Sequence, residues 1–262
     1  MLIGLVYFIV IIIANTVGAI SGMGGGIIIK PVLDAINYHS VVEISFFSSV
    51  AVFSMVITST VKQLANGVNV RLKLALTISV GSIIGGLLGN ALFEQLILFF
   101  PDGYVVQLVQ IVLTILSLIF VLMFTKEEMK TYTWKKQYGY FLIGVFLGGL
   151  ATLLGIGGGP INVTLLMIVF SFPIKEATTY SIITIFFSQL SRLVAIGFSK
   201  GYIAFDLSML YWIIPAALFG GFLGGKLSNT LSDSVVMKIF KRVVITVIFL
   251  NVWNGMINLS LI

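Results

Sequence analysis

The sequence predicts an all-α polytopic membrane protein. It would be built from two inverted-topology repeats of about five helical pieces each, with short broken or re-entrant helices after glycine-rich stretches. Three observations predict it. Hydrophobic residues make up 59% of the 262 residues and charged residues only 9%, against roughly 25% charged in a soluble domain, so the chain cannot cover a water-facing surface. The apolar runs are about 18 to 25 residues long and do not alternate with period two, which fits membrane helices and excludes an outer-membrane barrel. Finally, the stretch Gly22-Met23-Gly24-Gly25-Gly26 recurs 133 positions later as Gly155-Ile156-Gly157-Gly158-Gly159.

The register of the repeat extends beyond the glycines. Glu43 falls on Glu176 and Ser48 on Ser181 at the same offset, and Gly85-Gly86-Leu87-Leu88-Gly89 matches Gly220-Gly221-Phe222-Leu223-Gly224 at 135. The first repeat is therefore read as 1–125, the linker as 126–136 and the second repeat as 137–262.

In chain order, the apolar run 2–20 lacks a basic region ahead of it and reads as a retained span, not a cleaved signal. The piece 26–37 opens on the first glycine run; about 12 residues at 1.5 Å each reach only about 18 Å, short of a hydrocarbon core of about 30 Å. Pieces 40–62, 71–97 and 103–124 complete the first repeat. The second repeat reads 137–153, 159–170, 175–198, 206–230 and 235–260, and its short piece again follows the glycines. Lys62, Arg71, Lys73, Lys126, Lys130, Lys135, Lys136, Lys226, Lys238, Lys241 and Arg242 all fall on one side when the pieces alternate. The positive-inside rule makes that side cytoplasmic, puts His39, Asp102 and Lys200 on the other, and leaves both termini extracytoplasmic.

Three groups of residues could carry chemistry. A glycine run ahead of a short helix leaves backbone N–H groups free at the positive end of the helix dipole, a ready anion site. In an inverted repeat two such termini meet centrally. The substrate-binding candidates are therefore Gly22, Gly24, Gly25, Gly26, Gly155, Gly157, Gly158 and Gly159, with Asn15 and Asn162 beside them. The plainer reading, that small residues let helices pack closely, suits Gly144-x-x-x-Gly148 and Gly85-x-x-x-Gly89. Second, Thr178, Ser181, Thr184, Ser188, Gln189, Ser191 and Arg192 form one polar face of 175–198, and Ser45, Ser48, Ser49, Ser59, Thr60 and Gln63 form one on 40–62. They either line a path or serve as interhelical glue. Third come the ionisable residues. Glu43 and Glu176 lie in first helical turns, where a carboxylate offsets the dipole, and are also coupling candidates. Arg192 either snorkels to the surface or is buried beside the polar face. Lys30 lies inside the short piece and has no basic counterpart, Val163 standing at the equivalent position.

The doubled Gly-x-Gly-Gly-Gly, each followed by an apolar helix with an early proline, resembles the TauE/SafE family of sulfite and organosulfonate exporters. The first copy fits with Pro31; in the second, Thr164 holds the equivalent place and the proline is Pro160. The resemblance covers the whole chain and implies a polytopic anion carrier of a bacterial or archaeal inner membrane.

The expectation is a secondary transporter of a small oxyanion (sulfite, organosulfonate or a similar sulfur-containing anion) working by alternating access; the alternative is an anion channel using the same dipole site. The expected partners are that substrate, the lipid bilayer and a coupling proton or sodium ion, with no nucleic acid; the sequence leaves the oligomeric state open, a homodimer being one option. No cofactor or metal is expected, since the chain has no cysteine and one histidine. An intramembrane enzyme is disfavoured for the same reason and because no predicted span carries a carboxylate pair.

Overall fold

The computed structural model describes residues 2–65, 71–100, 103–125, 132, 134, 136–199 and 201–259. Lys126, Lys130, Lys135, Asp102 and Lys200, used above to orient the chain, lie outside the described residues, as does the side chain of Gln63. The described residues form ten α-helices and no strand. These are α1 (Leu2–Ser21), α2 (Gly26–Ile36), α3 (Val41–Ala65), α4 (Leu72–Phe99), α5 (Tyr104–Phe124), α6 (Gln137–Leu153), α7 (Pro160–Phe170), α8 (Ile174–Ser199), α9 (Leu210–Thr230) and α10 (Asp233–Leu259). Six of them (α1, α3, α4, α5, α8 and α9) are long and apolar enough to cross a membrane, and the protein is a multi-pass membrane protein. Its outer faces agree: Leu5, Ile9 and Ile13 on α1 and Leu76, Val80 and Leu88 on α4 are exposed, which in water would be an aggregation surface and in lipid is solvation.

The two broken pieces form as the sequence requires. α2 and α7 have 11 residues each, about 16 Å of rise. Pro160 occupies the first turn of α7, where its missing N–H costs nothing. Both helices stop on a residue in the left-handed conformation, Asn37 at φ 52° and Ser171 at φ 55°, and the Asn37 N–H donates to Leu33 O at 3.1 Å. The ninth piece starts later as an α-helix than its composition suggests. Asp206 accepts hydrogen bonds from the Ser208 N–H at 3.0 Å and its hydroxyl at 2.6 Å. That cap winds Leu207–Met209 into a 3-10 turn before α9 begins.

Packing interleaves the first five helices with the last five. α4 lies chiefly along α6 and also on α8, whereas α9 lies along α1 and α3, and α3 crosses α8. Glycine allows the close approaches. A Cβ at Gly85 would strike the Val145 carbonyl and one at Gly89 the Gly149 carbonyl. On the other side a Cβ at Gly220 would lie 2.8 Å from Ile12 O, and one at Gly224 would strike Thr16 O. Each of these contacts is matched by the other at offsets of 135 and 133.

Several of the described cations gather at one end. Arg71 at the start of α4 pairs with Glu176 at the start of α8 (2.8 Å), and Lys175 reaches Asp233 at the start of α10 (3.6 Å). Lys62 near the end of α3 lies over Phe222 of α9, with its Nζ 5.6 Å from the ring centroid.

Gly85→Ala should lower stability by about 1–3 kcal/mol, as overpacking does, because the new methyl would meet a rigid backbone carbonyl. Gly149→Ala, whose Cβ finds its nearest atom at 3.4 Å, should change stability by less than about 0.5 kcal/mol, the usual range for substitutions away from such features. Thermal unfolding in detergent measures both; equal losses would show that the α4–α6 contact is looser than described.

Candidate functional site

The two glycine runs meet inside the bundle. Residues 22–26 follow α1 and residues 154–159 follow α6, and every one of them is buried. Gly22, Gly24, Gly155 and Gly157 have φ of 70°, 73°, 66° and 69°, and Gly158 has 130°. These values suit glycine and let each chain turn sharply from its first helix into the short one. The runs pass against each other: a Cβ at Gly26 would strike the Ile156 carbonyl, one at Gly24 would lie 3.6 Å from Gly157 O and one at Gly158 3.5 Å from Met23 O. Met23 and Ile156 belong to one core with Ile20, Ile27, Leu154 and Ile161.

α3 and α8 flank this crossing at matching positions. Gly157 faces Val52 of α3, Gly158 faces Ile185 of α8, and Gly24 touches both side chains. A Cβ at Gly155 would lie 2.7 Å from Ser45 Oγ; one at Gly22 would press on Thr178, which is Ser45 shifted by 133. Ser181 donates to Gly22 O at 2.6 Å. Its counterpart Ser48 stands beside Gly26, at 2.9 Å from a Cβ built there, and its hydroxyl has no partner among the described residues.

Of the polar face on α8, Thr178, Thr184, Ser188 and Ser191 return their hydroxyls to carbonyls of their own helix, and Ser188 and Ser191 pack on Gly86 of α4. The groups left without a protein partner among the described residues are more informative. Around the crossing and along α8 they include Ser45 Oγ, Ser48 Oγ, both side-chain atoms of Asn162, both of Gln189, and Arg192 Nε and Nη1, and all of these are buried. Native interiors hold few such groups, and a bound polar ligand is one reason for them.

The first turns differ in what they can donate. Gly25, Gly26 and Ile27 open α2 with N–H groups that have no carbonyl within their helix to bond. The third residue bonds back to the cap in both, Ile28 N–H to Gly25 O and Asn162 N–H to Gly159 O at 3.0 Å each. Pro160 has no N–H, however, so α7 offers one backbone donor fewer, and the unpartnered Asn162 side chain stands there.

The ionisable residues separate into distinct roles. Glu43 closes a capping box with Ser40: Ser40 N–H donates to its carboxylate at 3.1 Å and the Ser40 hydroxyl at 2.8 Å, while the Glu43 N–H returns to Ser40 Oγ at 3.3 Å. Glu176 pairs with Arg71 and, by that hydrogen bond, raises the guanidinium's pKa above its ordinary value. Arg192 is 1% exposed and so does not snorkel. It lies with its guanidinium carbon 5.2 Å from the Phe93 ring centroid, in a small cleft with Asn90, Glu94 and Phe205. Seven residues separate it from Ile185, about 10 Å along the helix, so it stands apart from the glycine crossing. Asp34 went unnoticed in the sequence, although it lies four residues from Lys30 on a helix. Lys30 Nζ and Asp34 Oδ2 pair at 2.9 Å, with both side chains 4% exposed.

Cavities approach from both ends. One of about 220 Å³ is bordered by Asp34, His39, Ile97 and Gln107; another of about 590 Å³ is bordered by Arg71, Lys73, Gln137, Tyr140 and Glu176. Ile97 and Arg71 lie at opposite ends of α4, so the buried glycine crossing has a cavity toward each end.

A family model described as sulfite exporter TauE/SafE matches residues 7–252. A Bacillus subtilis (strain 168) protein described as "Probable membrane transporter protein YunE" is 27% identical over 261 residues, covering 90% of this chain and 92% of the relative. No solved structure matches the chain.

Gly26→Ala should lose about 1–3 kcal/mol, the cost of overpacking, and disrupt the crossing. Gly159→Ala should be tolerated, since its φ of −170° is ordinary extended backbone and its Cβ would make only 3.4 Å contacts. Detergent-solubilised melting curves separate them; a tolerated Gly26→Ala would mean that the two runs do not touch.

Proposed function

The chain belongs to the sulfite exporter TauE/SafE family of membrane transporters, and from that premise we propose that it carries a small sulfur oxyanion, sulfite or a sulfonate, by alternating access. The observation that carries this reading is the glycine crossing. It brings the open first turn of α2 against the second glycine run, beside buried and unpartnered Ser45, Ser48 and Asn162. An oxyanion there would accept hydrogen bonds from the N–H groups of Gly25, Gly26 and Ile27, from the two serines and from the Asn162 amide. Gly22, Gly24, Gly155, Gly157, Gly158 and Gly159 shape the backbone, and Ser181, Ser188 and Gln189 continue the polar face along α8.

In this reading the halves 1–125 and 137–262 are inverted repeats. The cationic end faces the cytoplasm of a prokaryotic cell, both termini lie outside, and the two end cavities are the entrances exposed in turn. Arg192, near the outer end of α8, would draw the anion inward. A channel would need a continuous path where the buried crossing lies; saturable flux with counterflow in proteoliposomes distinguishes the carrier from it. A panel of sulfite, sulfate, methanesulfonate and acetate tests the substrate class, and transport of acetate alone would overturn it.

Orientation is checked by cysteine labelling in whole cells. Lys73→Cys should react only once the cytoplasmic face is opened, and Asp206→Cys from outside; labelling of both from one side removes the inverted arrangement. Arg192 offers a second test. Arg192→Lys keeps the charge and loses the bidentate fork, whereas Arg192→Gln loses both. Because Arg192 stands about 10 Å from the crossing, it acts there as a charge and not as a direct partner. Arg192→Gln should lower substrate affinity by up to about 1–2 kcal/mol, the Coulomb energy at that distance for an effective dielectric of about 20, and Arg192→Lys by less. Equal affinity in all three folded proteins would leave the helix termini as the anion-selective element.

A further inference from the structure

Glu43 and Glu176, the carboxylates first considered for coupling, are engaged in a cap and a surface ion pair. The ion pair on α2 is placed differently. Lys30 and Asp34 are buried on a helix whose first turn is the proposed anion site, away from that turn and from the surface. At one end of the pair, Lys30 Cε lies 3.4 Å from a Cβ built at Gly155, on the same spot as the unpartnered Ser45 hydroxyl. At the other end, Asp34 borders the cavity of about 220 Å³, and its Oδ1 has no partner among the described residues. The pair thus spans from the second glycine run to the cavity that leads to one end of the bundle.

We propose that Lys30 and Asp34 couple anion binding to uptake of one proton: protonation of Asp34 from the cavity releases the Lys30 ammonium to the anion held at Ser45 and Gly155. This rests on the transport reading above. The balance is simple. Asp34 takes one proton onto a carboxylate oxygen and becomes neutral, and Lys30 keeps its three protons and its charge. The pair therefore passes from net zero to one positive charge, which a monoanion neutralises. In low dielectric neither an uncompensated ammonium nor an uncompensated anion is tolerated, so proton and anion favour each other reciprocally. The sign follows. A bound anion raises the pKa of Asp34, so affinity is highest below the pKa of the empty site and falls as pH rises through the window between the empty and occupied values.

Other titratable groups face Asp34. Tyr7 of α1 hydrogen-bonds His39 Nδ1 at 2.8 Å, and His39, which precedes α3, borders the same cavity with Tyr104 of α5. Glu43 stands in the first turn of α3, and Asn254 of α10 and Ile97 of α4 carry no titratable group. Of these, His39 serves as the control substitution.

The probe is methanesulfonate, which keeps its single charge across the range, binding to the purified full chain in nanodiscs between about pH 5 and pH 9. Calorimetry in two buffers of different ionisation enthalpy counts the protons taken up. Wild type should take up about one proton per anion, with affinity falling up to about tenfold per pH unit inside the window. Asp34→Asn should bind with no proton uptake and no pH slope, and Lys30→Met should bind at least about tenfold more weakly. His39→Gln should keep the uptake. Methanesulfonate binding to wild type without proton uptake overturns this inference and leaves the transport reading standing, and it needs no variant to fold. Uptake that survives Asp34→Asn or vanishes in His39→Gln also overturns it. Wild type that binds neither methanesulfonate nor sulfite at any pH overturns the transport reading, and the coupling with it.

Discussion

A backbone N–H or C=O without a partner in hydrocarbon costs several kcal/mol, and this chain breaks two helices inside an apolar bundle. The break is tolerated because each run partly bonds to the helix it leaves and is shielded by the other run. Met23 N–H returns to Gly18 O at 3.1 Å, Gly155 N–H to Thr152 O and Gly157 N–H to Ala151 O at 3.2 Å each. The polar groups that remain open face protein, not lipid. Glycine is required because a side chain at Gly26 would strike the Ile156 carbonyl of the other run, and one at Gly158 would strike Ile185 of α8.

That central requirement governs the packing around it. α3 and α8 bring Val52 and Ile185 to equivalent places on the glycines, and α4 and α9 clamp those helices from outside with their own glycine faces. Small residues here act through close backbone approach, the main source of attraction between helices where lipid is as apolar as leucine. Where the contacts correspond across the offset, the chemistry need not: Lys30 answers to Val163, Arg192 to Ser59 and Pro31 to Thr164. Among the described residues the buried charged side chains are Lys30 and Asp34 on α2 and Arg192 near the end of α8, so the two halves carry buried charge unequally.

Much of this was legible in the sequence. The ranges 26–37 and 159–170 differ from α2 and α7 by one residue at an end, because glycine and proline mark the start and the apolar run marks the stop. The α9 boundary was missed because an Asp206 cap winds a 3-10 turn that hydropathy does not register. The glycine runs stand out in the sequence by their repetition, but their mutual contact does not, since periodicity describes faces and not which faces meet. Arg192 could not be placed from distance along a helix alone; its burial depends on Phe93 and Asn90 of α4, a helix roughly a hundred residues earlier. Asp34 is readable from its i,i+4 spacing to Lys30, but the spacing alone does not show that both side chains are buried; that depends on the helices packed around α2.

The interleaving of α4 and α9 has a consequence for how the protein is made. When the first five helices have left the ribosome, α4 has its glycine face turned toward α6 and α8, which do not yet exist, and α1 and α3 await α9. The early half therefore enters the bilayer with its closest-packing surfaces uncovered, and its final arrangement waits on synthesis of the late half. On these contacts neither half covers its closest-packing faces by itself. Insertion must hold the first five helices loosely until the last five arrive, and a nascent chain halted after α5 is a natural client for membrane quality control.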